Sequence, residues 1–130
     1  MITAESKGIP LICEMARLNG NARYVLARKS PKLYMRDVMS VEVRSITTDH
    51  KQTLCLDGDD AEYLKGRRVV IVDDVISTGE SLRALEALVE KAGGNIVGRM
   101  AILAEGEAAE REDLIYLEKL PLFDAEGKPV

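Results

Sequence analysis

The chain has 130 residues, 46% hydrophobic and 31% charged, with a formal net charge of −4. That is the composition of one ordinary globular domain, and the charge balance excludes a general affinity for nucleic acid or an anionic membrane surface. No run approaches the ~20 apolar residues of a membrane-spanning helix. No signal peptide is legible after Met1. Cys13 and Cys55 lie in apolar surroundings without metal-ligand spacing, which predicts two buried free thiols and a cytoplasmic location.

Residues 1–3 can supply only the end of a strand. The polar loop Glu5-Ser6-Lys7-Gly8 follows, and residues 9–18 then carry a helical face of Ile12, Met15 and Ala16, with Cys13 beside it. Asn19-Gly20-Asn21 stops that helix. A strand end, a glycine-containing loop and a helix start together make an anion-binding arrangement. Residues 22–27 read as a short strand through Tyr24, Val25 and Leu26, and it runs into Arg28-Lys29-Ser30-Pro31-Lys32. Such cations can form a plain solvated turn. They also suit a polyanion, since Arg grips two phosphate oxygens at once and Lys acts as a point charge. Residues 33–36 have no clear preference. Residues 41–47 and 53–56 predict a hairpin projecting from the sheet, with a polar tip over 48–52. His50, the single histidine, reads as an exposed tip residue rather than a catalytic base.

Residues 57–60 form a turn and 61–64 a short helical piece stopped by Lys65-Gly66. The most informative stretch is Val69 to Ser81, VVIVDDVISTGES. Its β-branched run predicts a strand buried on both faces of a parallel sheet. The run ends in Asp73 and Asp74, and the small-polar turn Ser77-Thr78-Gly79 follows two apolar residues later. Hydroxyls, a glycine and a helix start make a phosphate cradle, and paired acids before it suit a ribose diol or a Mg²⁺ held largely by substrate oxygens. Ser77 or Thr78 is expected to start a helix with Leu82, Leu85, Leu88, Val89 and Ala92 inside. Its outer face is expected to carry Glu80, Arg83, Glu86, Glu90 and Lys91. Gly93-Gly94 ends it. Residues 96–103 read as a further buried strand, 105–113 as a solvated helix or loop, 114–117 as a last short strand, and 120–123 as an apolar turn. Alternating strands and helices predict an α/β fold with a doubly wound, mostly parallel sheet. A nucleotide-hydrolase strand ending in acids would need a GxxxxGK[ST] loop, which is absent. A receiver domain would need an Asp at a later strand end, whereas Asp113 precedes its apolar run.

VVIVDDVISTGES resembles the phosphoribosyl-pyrophosphate (PRPP) signature of the type I phosphoribosyltransferases, and the likeness extends from Ala4 to about Leu117. It implies transfer of 5-phosphoribose from PRPP to a purine base, adenine foremost, with inversion at the anomeric carbon and release of pyrophosphate. On that resemblance Asp73 and Asp74 are the catalytic acids, holding the ribose hydroxyls and meeting Mg²⁺ indirectly through PRPP oxygens. Ser77, Thr78, Gly79, Glu80 and Ser81 grip the 5′-phosphate. Ser6, Lys7, Arg28, Lys29 and Lys32 hold the pyrophosphate, the first two in a loop that in the family often contains a non-proline cis peptide. Val75 and Ile76 support the flat base, with Phe123 as a further candidate. The hairpin, within residues 37–53, corresponds to a flap that closes over the site, although the Glu-Tyr pair of adenine-type flaps is missing. The resemblance also implies a homodimer. The whole of 1–130 is expected to be one such domain, N-terminally incomplete, without the hood that adenine-type members carry before the pyrophosphate loop. A non-catalytic PRPP- or nucleotide-binding regulatory module is the alternative reading.

Overall fold

The computed structural model describes residues 1–44 and 49–130. At its centre is β5, Arg68–Ile76, in which Val69, Ile71, Val72 and Ile76 are buried. The strand continues through both acids to Ile76 rather than ending at Val72 as the apolar run suggested. Around it a five-stranded parallel sheet has the order β2-β1-β5-β6-β7, with β1 at Ile2–Ala4, β2 at Val25–Ala27, β6 at Asn95–Glu105 and β7 at Ile115–Leu120. Helix α1, Gly8–Leu18, joins β1 to β2, and α3, Glu80–Lys91, joins β5 to β6.

This order fixes where a ligand can sit. The β1–α1–β2 crossover steps one way along the sheet and β5–α3–β6 steps the other. With right-handed crossovers the two helices must lie on opposite faces. Between the adjacent strands β1 and β5 the winding reverses, leaving a crevice beyond their carboxyl ends, where open α/β sheets bind ligands. The loops after β1 and β5 are the two segments singled out above as anion-binding.

The antiparallel pair β3, Met39–Arg44, and β4, Lys51–Leu56, forms the expected hairpin with shifted bounds. Lys51 and Gln52 belong to a strand rather than the tip, and the expected strand residues 45–47, with tip residue 48, lie outside the described residues. The hairpin does not stand clear of the domain. Leu54, Cys55 and Leu56 are buried in the core, an antiparallel bridge joins Cys55 to Arg28, and Arg83 and Lys91 of α3 donate to the Arg44 and Ser40 carbonyls at 2.6 and 2.8 Å. The short helix α2 begins three residues earlier than its apolar face suggested, at Gly58–Leu64.

Other expectations need correction. Helix α3 starts at Glu80, not at Ser77 or Thr78, because Gly79 takes the left-handed conformation (φ 81°) immediately before it. Its outer face is not wholly solvated, since Arg83 and Glu86 are half-buried. Cys13 is exposed: Ile12 and Ala16, one turn apart, define the buried stripe of α1, and the next residue round points to solvent. The segment 105–113 contains a 3-10 turn, Gly106–Glu110, that buries Ala108. Strand β6 is buried only in part, with Val97 and Ile102 exposed beside Ile115 and Leu117 of β7.

Candidate active site

At the end of β1, the Glu5 N–H donates to the Ala27 carbonyl at 2.9 Å, and the Glu5–Ser6 peptide is cis, the form the family resemblance implied. Lys7 takes helical backbone angles at the start of α1, and Ser6 and Lys7 are exposed. The next position must be glycine, because a Cβ at Gly8 would run into the buried Thr3 hydroxyl. The Glu5 carboxylate is the hub of this half. It accepts from the Lys29 N–H at 2.6 Å and from Arg28 Nη1 at 3.4 Å, and Lys32 Nζ lies 4.0 Å away. Its pKa is held below the ordinary carboxylate range, chiefly by the Lys29 N–H and also by the neighbouring cations. One side chain thus ties the loop after β1 to the cationic turn after β2.

Across the crevice, the Asp74 N–H donates to Asp73 Oδ1 at 2.8 Å, turning the first carboxylate back along the chain. Burial, with Asp74 alongside, pushes the Asp73 carboxyl up to about 7. Beyond the pair, Gly79 supplies the left-handed turn into α3 and brings no side-chain cap, while the Thr78 hydroxyl accepts from the Glu80 N–H at 3.3 Å. A helix start without a side-chain cap leaves first-turn amides of the kind an anion can accept from. Arg111 backs the turn: its Nη1 would lie 3.3 Å from a Cβ at position 79. That guanidinium is fixed by Asp113 at 2.7 and 2.8 Å, holding the Asp113 carboxyl down to about 2, and lies 3.7 Å from Glu86.

Two adjoining cavities fill the crevice. One, about 230 Å³, is lined by Glu5, Ser6, Lys7, Lys29, Gln52, Asp73, Asp74, Val75 and Ser81 among others. The other, about 130 Å³, runs from Asp73 and Val75 through Ser77, Thr78 and Gly79 to Ser81. Segments far apart in sequence thus converge on one place, with cations at one end, paired acids in the middle and a hydroxyl-and-amide turn at the other. A larger cavity of about 600 Å³ lies between α2 and the C-terminal end of α3 and contains none of these groups.

Most of the residues singled out in the sequence meet here. Lys7, Lys29, Asp73, Asp74 and Ser81 line the first cavity, and Ser77, Thr78 and Gly79 the second. Glu80 lies against the outer side of the same turn, in a third cavity with Arg83 and Arg111. Arg28 and Lys32 face the Glu5 carboxylate and line neither cavity of the crevice. Val75 lines both cavities and Ile76 the second, although the Ile76 side chain, 3% exposed, is otherwise packed in the core. Phe123 sits in the C-terminal turn bridged to Pro129, away from both. Two further residues line the crevice, Glu5 and Gln52. Glu5 is legible as the acid of the Glu5-Ser6-Lys7-Gly8 loop, but its tie to the cationic turn after β2 is not. Gln52 carried a signal, since it interrupts the alternating apolar stripe of β4 at the position that reaches the crevice.

Comparison with known proteins agrees with this geometry. A profile of the phosphoribosyl transferase domain matches residues 2–123. The hypoxanthine/guanine phosphoribosyltransferase of Methanococcus voltae is 34% identical over 111 residues, 85% of this chain and 55% of its own length. An adenine phosphoribosyltransferase from Corynebacterium efficiens is 45% identical over 51 residues, 39% of this chain and 27% of its own. Among solved structures, the adenine phosphoribosyltransferase of Thermoanaerobacter pseudethanolicus superposes with a TM-score of 0.76 at 28% identity, over 92% of this chain and 68% of that one. The chain spans about half the length of the hypoxanthine/guanine relatives it matches. With the family profile covering residues 2–123, nearly its whole length, the chain belongs to the phosphoribosyl transferase domain family.

Proposed function

We propose that the chain carries the PRPP site of a purine phosphoribosyltransferase, acting in nucleotide salvage. The observation that carries this reading is the convergence of three chemistries in one crevice at the reversal of the sheet: Lys7 and Lys29, then Asp73 and Asp74, then Ser77 to Ser81. In the transfer, the bond from the anomeric carbon to pyrophosphate breaks, and a base nitrogen bonds that carbon from the opposite face and gives up its proton. Positive charge develops on the sugar and negative charge on the leaving group, so stabilisation depends on placing fixed groups near each. Ser6, Lys7 and Lys29 would hold the pyrophosphate, with Arg28 and Lys32 adding positive field from the Glu5 hub. Asp73 and Asp74 would hold the ribose hydroxyls. The amides and hydroxyls of Ser77, Thr78, Gly79, Glu80 and Ser81 would seat the 5′-phosphate, and Val75 would support the base.

Mg²⁺ fits this donor set. Burial and like charge disfavour the Asp73 anion, and a cation nearby would relieve both. Among the described residues no group of three or more His, Cys, Asp and Glu could cage a metal. That supports an ion held mainly by PRPP oxygens with Asp73 and Asp74 at its edge, where it would add to leaving-group stabilisation.

The acceptor is proposed as a purine. Adenine is the narrower reading, supported by likeness to solved adenine enzymes, while the relatives with wide sequence coverage are named for hypoxanthine and guanine. A homodimer is further proposed, with exposed Leu33 and Tyr34 beside the cationic turn as candidate contacts, in a cytoplasm consistent with two unpaired cysteines. The test is incubation with PRPP, Mg²⁺ and each of adenine, hypoxanthine, guanine, xanthine and orotate, following pyrophosphate. Release with one purine is expected. PRPP binding without release on any base would instead support the regulatory module, and absence of binding would overturn the site.

A further inference from the structure

The hairpin brings one side chain into the crevice that neither charge nor motif accounts for. On β3 and β4 the residues facing the core alternate as Met39, Val41 and Val43 opposite Leu56, Leu54 and Gln52, in register Met39↔Leu56, Val41↔Leu54 and Val43↔Gln52. A carboxamide therefore occupies the last place of an otherwise apolar face. There Gln52 Nε2 lies 3.2 Å from Ser81 Oγ, and the residue lines the crevice with Lys7, Lys29, Asp73 and Asp74. The hairpin needs no help from Gln52 to stay on α3, because Arg83 and Lys91 already bond its backbone carbonyls.

We infer that Gln52 is a positioning residue for the 5′-phosphate: by donating to Ser81 Oγ, it leaves the serine proton free to point into the phosphate turn. This rests on the PRPP reading given above. A hydroxyl that accepts a hydrogen bond donates its own proton more strongly, so the amide aims and sharpens the serine together. A neutral amide can do this without drawing Lys7 or Lys29 away from the pyrophosphate, as a carboxylate would. The hairpin is thereby coupled to the site through a side-chain contact rather than through the missing Glu-Tyr pair.

The test measures binding of ribose 5-phosphate, of PRPP with Mg²⁺ and of pyrophosphate with Mg²⁺ by calorimetry, on the whole chain. Gln52→Met should weaken ribose 5-phosphate and PRPP by about 3- to 10-fold, the range of one neutral hydrogen bond. Gln52→Glu, which can only accept from Ser81 and adds a negative charge, should weaken them by about 30-fold or more. Pyrophosphate should bind Gln52→Met as it binds the parent, which a general loss of structure would not allow. In a Ser81→Ala background, Gln52→Met should have little further effect, since it acts through the serine. Equal ribose 5-phosphate affinity in parent and Gln52→Met, additive effects with Ser81→Ala, or parallel loss of pyrophosphate would each overturn the inference. If the parent itself binds neither sugar phosphate, the PRPP reading fails, a result distinct from any of these.

Discussion

The loop after β1 gathers its groups from segments remote in sequence, whereas the turn after β5 is built almost wholly from one contiguous stretch. On the β1 side, Lys7 lies in the loop itself, and Arg28, Lys29 and Lys32 are gathered around the Glu5 carboxylate, which offsets part of their charge. On the β5 side the groups are neutral amides and hydroxyls, shaped by the left-handed Gly79 and backed by an Arg111–Asp113 pair. The difference teaches how a single crevice could hold the proposed doubly phosphorylated sugar in one orientation. On the proposed reading a highly charged pyrophosphate would meet cations gathered around one acid, and a monoester phosphate a turn of neutral donors. Between the two lies the Asp73-Asp74 pair, an environment hostile to negative charge until a cation or a developing positive centre arrives.

The largest expected effect comes from breaking the middle of that comparison. Asp74→Asn should lower pyrophosphate release by about 100-fold with its fold intact, because an amide cannot oppose the positive charge developing on the sugar. Circular dichroism alongside the assay separates lost chemistry from lost structure, and unchanged turnover would count against the assigned site. Next is the hub. Glu5→Ala removes the acceptor of the Lys29 N–H and frees Arg28 and Lys32 to repel one another, and it should destabilise the chain by about 1–3 kcal/mol in urea melts. Pyrophosphate affinity should fall with it while ribose 5-phosphate affinity holds, and equal losses would show that the two halves are not independent.

The smallest effect concerns pH. A carboxyl whose folded pKa lies above its unfolded value binds its proton more tightly in the folded chain, so stability falls as pH rises through that window. For Asp73, lifted from 3.8 to about 7, the window runs between those values. Asp73→Asn should therefore be more stable than the parent above neutrality, by about 1–2 kcal/mol after allowing for solvent around a half-buried pair. The advantage should vanish near pH 4 in thermal melts. A gap that is constant with pH would place the burden elsewhere.

The β5 half was legible because strand, acids and turn are consecutive, so one apolar run and one small-polar turn imply the geometry. Even there the boundary was not, since nothing local says that β5 passes through its own acids to Ile76. The β1 half was legible only as a set of candidates. That Arg28 and Lys32 face Glu5 rather than the crevice depends on the pairing of β2 with β1 and the bridge from Arg28 to Cys55, which are contacts remote in sequence. The hairpin shows the same limit. Its polar ends read as a tip, but antiparallel pairing extends to Arg44↔Lys51 and carries Gln52 into the site. Ile76 has a double place for a related reason: an apolar residue that lines the second cavity can also belong to the core beneath it.

The most direct measurement is a pair of titrations followed by backbone amide NMR, one with ribose 5-phosphate and one with pyrophosphate and Mg²⁺. The expected result is that ribose 5-phosphate moves the amides of residues 77–81 and pyrophosphate those of Ser6, Lys7 and Lys29, each leaving the other set largely in place. Both ligands moving one common set, or neither disturbing the crevice, would contradict a site divided between the ends of β1 and β5.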